Sequence, residues 1–288
     1  MTLHVETQGI GQPLLLIHGW GMHGGMWREI AEQLAQQFKV HSVDLPGHGA
    51  SKATPSLTLP RGEREQKPAK VAAVGANPLS LPQRERGQEQ LDEIVGQLST
   101  QFTEPLAVCG WSLGGQLALR WAQLYPAQIT KLVLVATTPC FVQKDNWSCA
   151  MATETLQEFA ASLLQNHTQT LKRFLALQVR GSEQERELLS DLRARLFARG
   201  EPAIAALKGG LEILRDTDLR STLSQVTQQS LLVAGERDRL TPLAAMQYLL
   251  DAMPTAKLVT INGASHAPFL SHPQIFTQHL RNFLNERI

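Results

Sequence analysis

The chain has 288 residues, 43% of them hydrophobic and 18% charged, with a formal net charge of +1. That composition excludes a disordered or fibrous chain, suits one large α/β domain with an insertion, and leaves no electrostatic footprint for bulk nucleic-acid binding. Three cysteines without metal-ligand spacing, an N-terminus unlike a signal peptide and no apolar run of membrane-spanning length lead us to expect a cytoplasmic protein with no metal site.

In chain order, Leu14-Leu15-Leu16-Ile17 reads as a buried strand ending at the tight turn His18-Gly19-Trp20-Gly21. A helix is predicted over about 26–37, then a strand at Val40-His41-Ser42-Val43. The turn Asp44-Leu45-Pro46-Gly47-His48-Gly49 follows. Its glycine spacing does not match a phosphate-cradling loop, and it is assigned no catalytic role. Residues 55–90 are rich in Pro, Gln, Arg and Glu and carry an internal duplication, Leu57-Thr58-Leu59-Pro60 recurring as Leu79-Ser80-Leu81-Pro82. Two copies are too few for a solenoid, and the composition predicts a mobile surface excursion.

Further buried strands are expected at 106–109, 131–135, 230–234 and 257–261. Their apolar runs are continuous rather than alternating. The expected fold is therefore α/β: a mostly parallel central sheet with helices on both faces. Residues 138–210 show helical periodicity, as in Leu156, Phe159, Leu163 and Leu164. We expect them to form a helical lid inserted into a core of residues 1–137 and 211–288.

Gly110-Trp111-Ser112-Leu113-Gly114-Gly115 stands between a predicted strand and a predicted helix. Strand, G-x-S-x-G, helix is the context of a nucleophile elbow, which lifts the serine hydroxyl above the sheet edge. Such a serine needs a base, and the base an orienting acid, in the chain order Ser, Asp or Glu, His. Asp238 follows the strand at 230–234 and His266 follows the strand at 257–261. Both fall on loops at the C-terminal rim of the sheet. Glu236 is the weaker acid candidate, Asp216 and Asp218 precede their strand, and His41, His48 and His272 lack the position. The oxyanion donors should be the backbone N–H of Leu113 and that of Trp20. The Trp20 side chain would lie against the acyl group. Phe141, Trp147, Phe174 and Leu177 are expected to line an apolar wall.

With Ser112, Asp238 and His266 in place, the chain resembles the α/β-hydrolases. It is similar in particular to the pimeloyl-[acyl-carrier protein] methyl ester esterases of biotin synthesis. The likeness rests on Leu16-Ile17-His18-Gly19-Trp20-Gly21, Gly110-Trp111-Ser112-Leu113-Gly114-Gly115, Arg173-Phe174-Leu175-Ala176-Leu177-Gln178, Gly209-Gly210-Leu211-Glu212-Ile213-Leu214 and His266-Ala267-Pro268-Phe269. It covers the chain except 55–90, where the family has a short connection. The resemblance implies a cofactor-free, monomeric serine esterase acting on a pimeloyl methyl ester carried by acyl carrier protein. It carries substrate contacts to Trp20, Ser112, Leu113, the run Phe174, Leu175, Ala176, Leu177 and Gln178, and His266. Basic residues of the lid would meet the acidic carrier. From 172 to 199 there are seven basic against four acidic residues, and Arg173 is the foremost candidate. The elbow and the two partners alone also fit a broad carboxylesterase acting on small free esters.

Overall fold

The computed structural model describes residues 2–53 and 86–286. Its strands are β1 (Val5–Gln8), β2 (Gln12–Ile17), β3 (Phe38–Val43), β4 (Leu106–Trp111), β5 (Ile129–Val135), β6 (Ser230–Gly235) and β7 (Ala256–Ile261). They form a seven-stranded sheet in the order β1-β3-β2-β4-β5-β6-β7. β1 runs antiparallel to β3, and every other neighbouring pair is parallel. All six apolar runs of the sequence became strands. β1 was not anticipated, because Val5-Glu6-Thr7-Gln8 is an edge strand with half its residues exposed and carries no apolar run.

Successive strand residues point to opposite faces of a sheet, and both faces here are covered. On one face Leu15, Ile17, Val108, Leu132 and Leu134 pack under α2 (Arg86–Gln101), α3 (Leu113–Leu124) and α8 (Leu243–Ala252). On the other, Leu14, Leu16, Cys109, Val133 and Val135 pack under α1 (Arg28–Leu34), the short α9 (Pro268–Ser271) and α10 (Pro273–Asn285). A fully buried leucine contributes about 2 kcal/mol, which is why these strands read as unbroken apolar runs. A buried charge, Lys131, sits on β5. Its Nζ donates to the carbonyls of Phe283 at 2.9 Å and Leu284 at 3.1 Å, and so caps the C-terminal end of α10.

Between β5 and β6 the chain inserts α4 (Thr153–Gln165), α5 (His167–Val179), α6 (Glu185–Phe197) and α7 (Ile204–Asp216). Asn166 caps α5, its side chain accepting the Gln169 N–H at 3.0 Å. α7 runs across the boundary expected at residue 210. Its last turns pack on α2, where the Gly87 N–H donates to Asp216 Oδ2 at 3.2 Å and Gln90 Nε2 to Glu212 Oε2 at 2.8 Å. α2 starts at Arg86, so residues 86–90, expected to belong to the excursion, are helical instead. Polar Gln and Arg residues on its exposed side hid the period. Residues 55–85 lie outside the described residues.

Candidate active site

β4 ends at Trp111, and α3 begins at Leu113. Ser112 between them has φ 55° and ψ −115°, a conformation an L-residue adopts only under constraint. The constraint is visible. The Ser112 N–H donates to Val135 O at 2.9 Å, and its carbonyl accepts the Thr137 hydroxyl at 2.6 Å. A Cβ on Gly110 would stand 2.2 Å from Gly114 O, and one on Gly114 would stand 2.6 Å from Ile17 O. Only glycine fits at either position, which is the physical content of the G-x-S-x-G spacing. The adjoining Ala136 is also left-handed, with φ 44°.

Leu113 opens α3, so its N–H has no partner within the helix and lies at the positive end of the helix dipole. The turn after β2 comes alongside: the Cβ position of Gly19 is 3.4 Å from Ser112 Cβ. Among the described residues, the N–H groups of Trp20 and Leu113 make no backbone hydrogen bond. The chain leaves β2 and β4 toward opposite edges of the sheet, so this corner is a topological switch point, where such folds bind ligands.

The 44–49 turn supports that corner from behind. The Leu45 N–H donates to His18 Nε2 at 2.9 Å, and His18 Nδ1 therefore carries the proton it gives to Gly19 O at 2.8 Å. Burial, and then the neighbouring His48, hold His18 well below the ordinary histidine range. Burial lowers His48 to about 4. Asp44 accepts the N–H groups of Gly24 at 2.6 Å and Ala50 at 2.9 Å, and Arg199 approaches it at 3.4 Å.

Asp238 follows β6 and His266 follows β7. His266 Nδ1 donates to Asp238 Oδ2 at 2.8 Å, and both side chains are about 1% exposed. This bond fixes the proton on Nδ1 and leaves Nε2 as the basic nitrogen. The residue before Ser112 ties the histidine loop to the elbow, Trp111 Nε1 donating to His266 O at 2.8 Å. Phe269, three residues after His266, stacks on Trp27 at 4.0 Å and sets its edge on Trp111 at 4.9 Å. The rival residues have other partners. Glu236 accepts the Gly263 N–H, Asp216 pairs with Arg215, Asp218 with Arg220, and His272 with Ser271. Thr241, whose hydroxyl donates to Asp238 Oδ2, was not singled out from the sequence; its only signal is the spacing D-x-x-T.

The insert helices pack on Trp20. Trp20 Nε1 donates to Leu207 O of α7 at 2.9 Å, and its ring meets the edges of Phe174 at 4.8 Å and Phe159 at 5.4 Å. The run 174–178 exceeds one helical turn, so its side chains diverge. Phe174 faces Trp20, while Leu175 and Gln178 are buried in the packing of α5. Leu177 is half-buried. Ala176 lies on the outer side. With Gln169, Lys172, Arg173, Arg193, Ala194 and Phe197 it lines a groove of about 650 Å³ between α5 and α6. Arg195 pairs with Asp191, and Arg199 with Glu6 and Asp44, so two of the seven basic residues are used internally. Arg173 and Arg193 form no ion pair among the described residues. The expected apolar wall loses one member. Trp147 donates to Cys140 O at 2.8 Å and packs with Cys140 and Ala245, apart from the cluster that holds Phe141 and Phe174.

Among the described residues, no cluster of His, Cys, Asp or Glu is arranged to hold a metal ion, and no helix is long and apolar enough to cross a membrane. A sequence profile of the alpha/beta hydrolase family matches residues 14–278. The chain is 39% identical over 275 residues to the pimeloyl-[acyl-carrier protein] methyl ester esterase of Nitrosomonas europaea, a match covering 96% of each chain. It is 38% identical to the protein of that name from Chromobacterium violaceum, across 99% of this chain and 98% of that one. Among solved structures, an esterase from Exiguobacterium antarcticum superposes with a TM-score of 0.80 at 20% identity, over 99% of this chain and 96% of that one. The chain belongs to the alpha/beta hydrolase family, where full-length relatives are pimeloyl-[acyl-carrier protein] methyl ester esterases.

Proposed function

We propose that this protein is a serine esterase that hydrolyses the methyl ester of pimeloyl-[acyl-carrier protein], releasing methanol. The observation that carries the substrate is the match to relatives of that name over 96% and 99% of the chain. The observations that support the chemistry are the bond from His266 Nδ1 to Asp238, the strained backbone of Ser112, and the bond from the preceding Trp111 to the histidine loop.

In this reading Ser112, His266 and Asp238 are a catalytic triad. His266 Nε2 takes the Ser112 proton as the hydroxyl attacks the ester carbonyl. Asp238 holds the ring and stabilises its positive form. The tetrahedral oxyanion rests on the N–H groups of Trp20 and Leu113, which bond no backbone acceptor among the described residues. The alkoxide leaves as methanol, protonated by His266, and an acyl-enzyme remains. Water, deprotonated by the same histidine, then frees the acid.

The insert of residues 138–210 acts as a lid, with α7 extending into the core. Phe174 and Trp20 face the acyl chain. Leu175 and Gln178 shape the site through the packing of α5 rather than by lining it. Arg173 and Arg193 on the outer groove steer the acidic carrier protein.

The test is complementation of a biotin-requiring strain lacking this esterase. Wild type restores growth, and Ser112→Ala does not. A purified enzyme that hydrolyses short p-nitrophenyl esters but shows no preference for the carrier-bound methyl ester would instead assign it as a broad carboxylesterase.

A further inference from the structure

Four donors converge on the Asp238 carboxylate. Oδ1 accepts the backbone N–H groups of Leu240 at 2.8 Å and Thr241 at 3.0 Å. Oδ2 accepts His266 Nδ1–H at 2.8 Å and the Thr241 hydroxyl at 2.6 Å. The same hydroxyl oxygen is 3.3 Å from His266 Nδ1, and Thr241 is only 2% exposed. The proton assignment follows from chemistry. A carboxylate only accepts, so the hydroxyl hydrogen points to Oδ2 and the oxygen lone pairs turn toward the imidazole N–H. One buried side chain thus touches both members of the acid–base pair.

We propose that Thr241 is a positioning residue for hydrolysis, and this rests on the triad reading given above. Its hydroxyl does two things. It fixes Oδ2, while the two N–H groups fix only Oδ1, so the carboxylate cannot swing away from the ring. It also draws charge from Oδ2 and so tempers the attraction between Asp238 and the protonated ring. The side chain is itself held. β-branching restricts its χ1, and the following Pro242 confines its backbone to the extended region. The neighbouring charges are engaged elsewhere, Glu236 with the Gly263 N–H and Arg237 with Gly181 O. The pair therefore responds to Thr241 more than to those groups.

The test uses Thr241→Val, which keeps the volume and deletes the hydroxyl, and Thr241→Ser, which keeps the hydroxyl. Hydrolysis of p-nitrophenyl butyrate by the full-length protein is followed from pH 5 to 9. We expect Thr241→Val to lower kcat about tenfold with KM nearly unchanged, the loss of one hydrogen bond to a charged group. Without the hydroxyl, Oδ2 binds the protonated ring more tightly, so the acid limb of kcat/KM moves to higher pH. Thr241→Ser restores both. If the valine variant fails to fold, Thr241→Ala is read in its place. Wild-type kcat with an unmoved acid limb in the hydroxyl-deleted variant overturns the proposal, and so does a serine variant as impaired as the valine one. Ser112→Ala run alongside separates the two levels. If it is inactive while Thr241→Val is normal, only the role of Thr241 fails; if Ser112→Ala is itself active, the triad reading fails.

Discussion

Around Ser112 the chain is held mainly by close backbone contacts, with one side-chain hydroxyl added. Gly110 and Gly114 leave no room for a Cβ, and Val135 and Thr137 grip the N–H and carbonyl of the serine. In the insert, α4 and α5 are held by side chains. Leu156, Leu163, Leu171 and Phe174 join the core cluster, while the outer face carries Arg173, which forms no ion pair among the described residues. Backbone contacts allow almost no substitution; interlocking apolar side chains tolerate many of similar volume. The first construction suits chemistry that must be aligned to fractions of an ångström. The second suits a surface that fits one partner.

The largest effect that could break this division is at the serine. Ser112→Ala should lower turnover about a million-fold, measured as p-nitrophenyl butyrate hydrolysis, with the fold intact by circular dichroism. Asp238→Asn, which favours the wrong tautomer of His266, should cost about ten-thousandfold in kcat.

The third expectation concerns the support beneath the corner. His48 is lowered from 6.5 to about 4 by burial, and His18 and His23 are lowered by the same cause. Between those pH values the unfolded chain binds more protons than the folded one, so stability rises with pH across that window and is lost on acidification. At about 1.4 kcal/mol per pKa unit, His48 alone accounts for a loss on the order of 3 kcal/mol between pH 6.5 and 4. Unfolding midpoints in urea, measured at several pH values, should fall through this range, and His48→Gln should flatten the fall.

Gly210 joins the two regions, since a Cβ there would lie 2.5 Å from Trp20 Cδ1. Gly210→Ala should destabilise by about 1–3 kcal/mol as the indole is pushed aside, read by thermal melting and Trp fluorescence. The smallest effect is at the surface. Arg173→Glu should reduce kcat/KM roughly tenfold for the carrier-bound methyl ester at low salt and leave p-nitrophenyl butyrate hydrolysis unchanged. An equal loss on both substrates would place Arg173 in the folding of α5 rather than at the carrier.

The legibility of the sequence divides along similar lines. The strands β2 to β7 and the positions of Ser112, Asp238 and His266 announced themselves, because burial on both faces forces apolar runs and the rim of a parallel sheet is found by counting from them. Contacts between distant turns did not. Nothing in Asp44-Leu45-Pro46-Gly47-His48-Gly49 says that the Leu45 N–H fixes the His18 tautomer. The spacing D-x-x-T does not reveal where the Thr241 hydroxyl points. Trp147 looked like a wall of the site because a large apolar residue in a helical stretch carries no label for the cluster it joins.

The left-handed backbone of Ser112 has a practical consequence. A tense joint relaxes as soon as its clamps loosen, and the clamps here sit at the ends of β4 and β5 rather than in their middles. Catalysis should therefore fade at denaturant concentrations where the far-ultraviolet signal of the sheet is still complete. Turnover becomes an early gauge of fraying at the rim, well ahead of collapse of the whole.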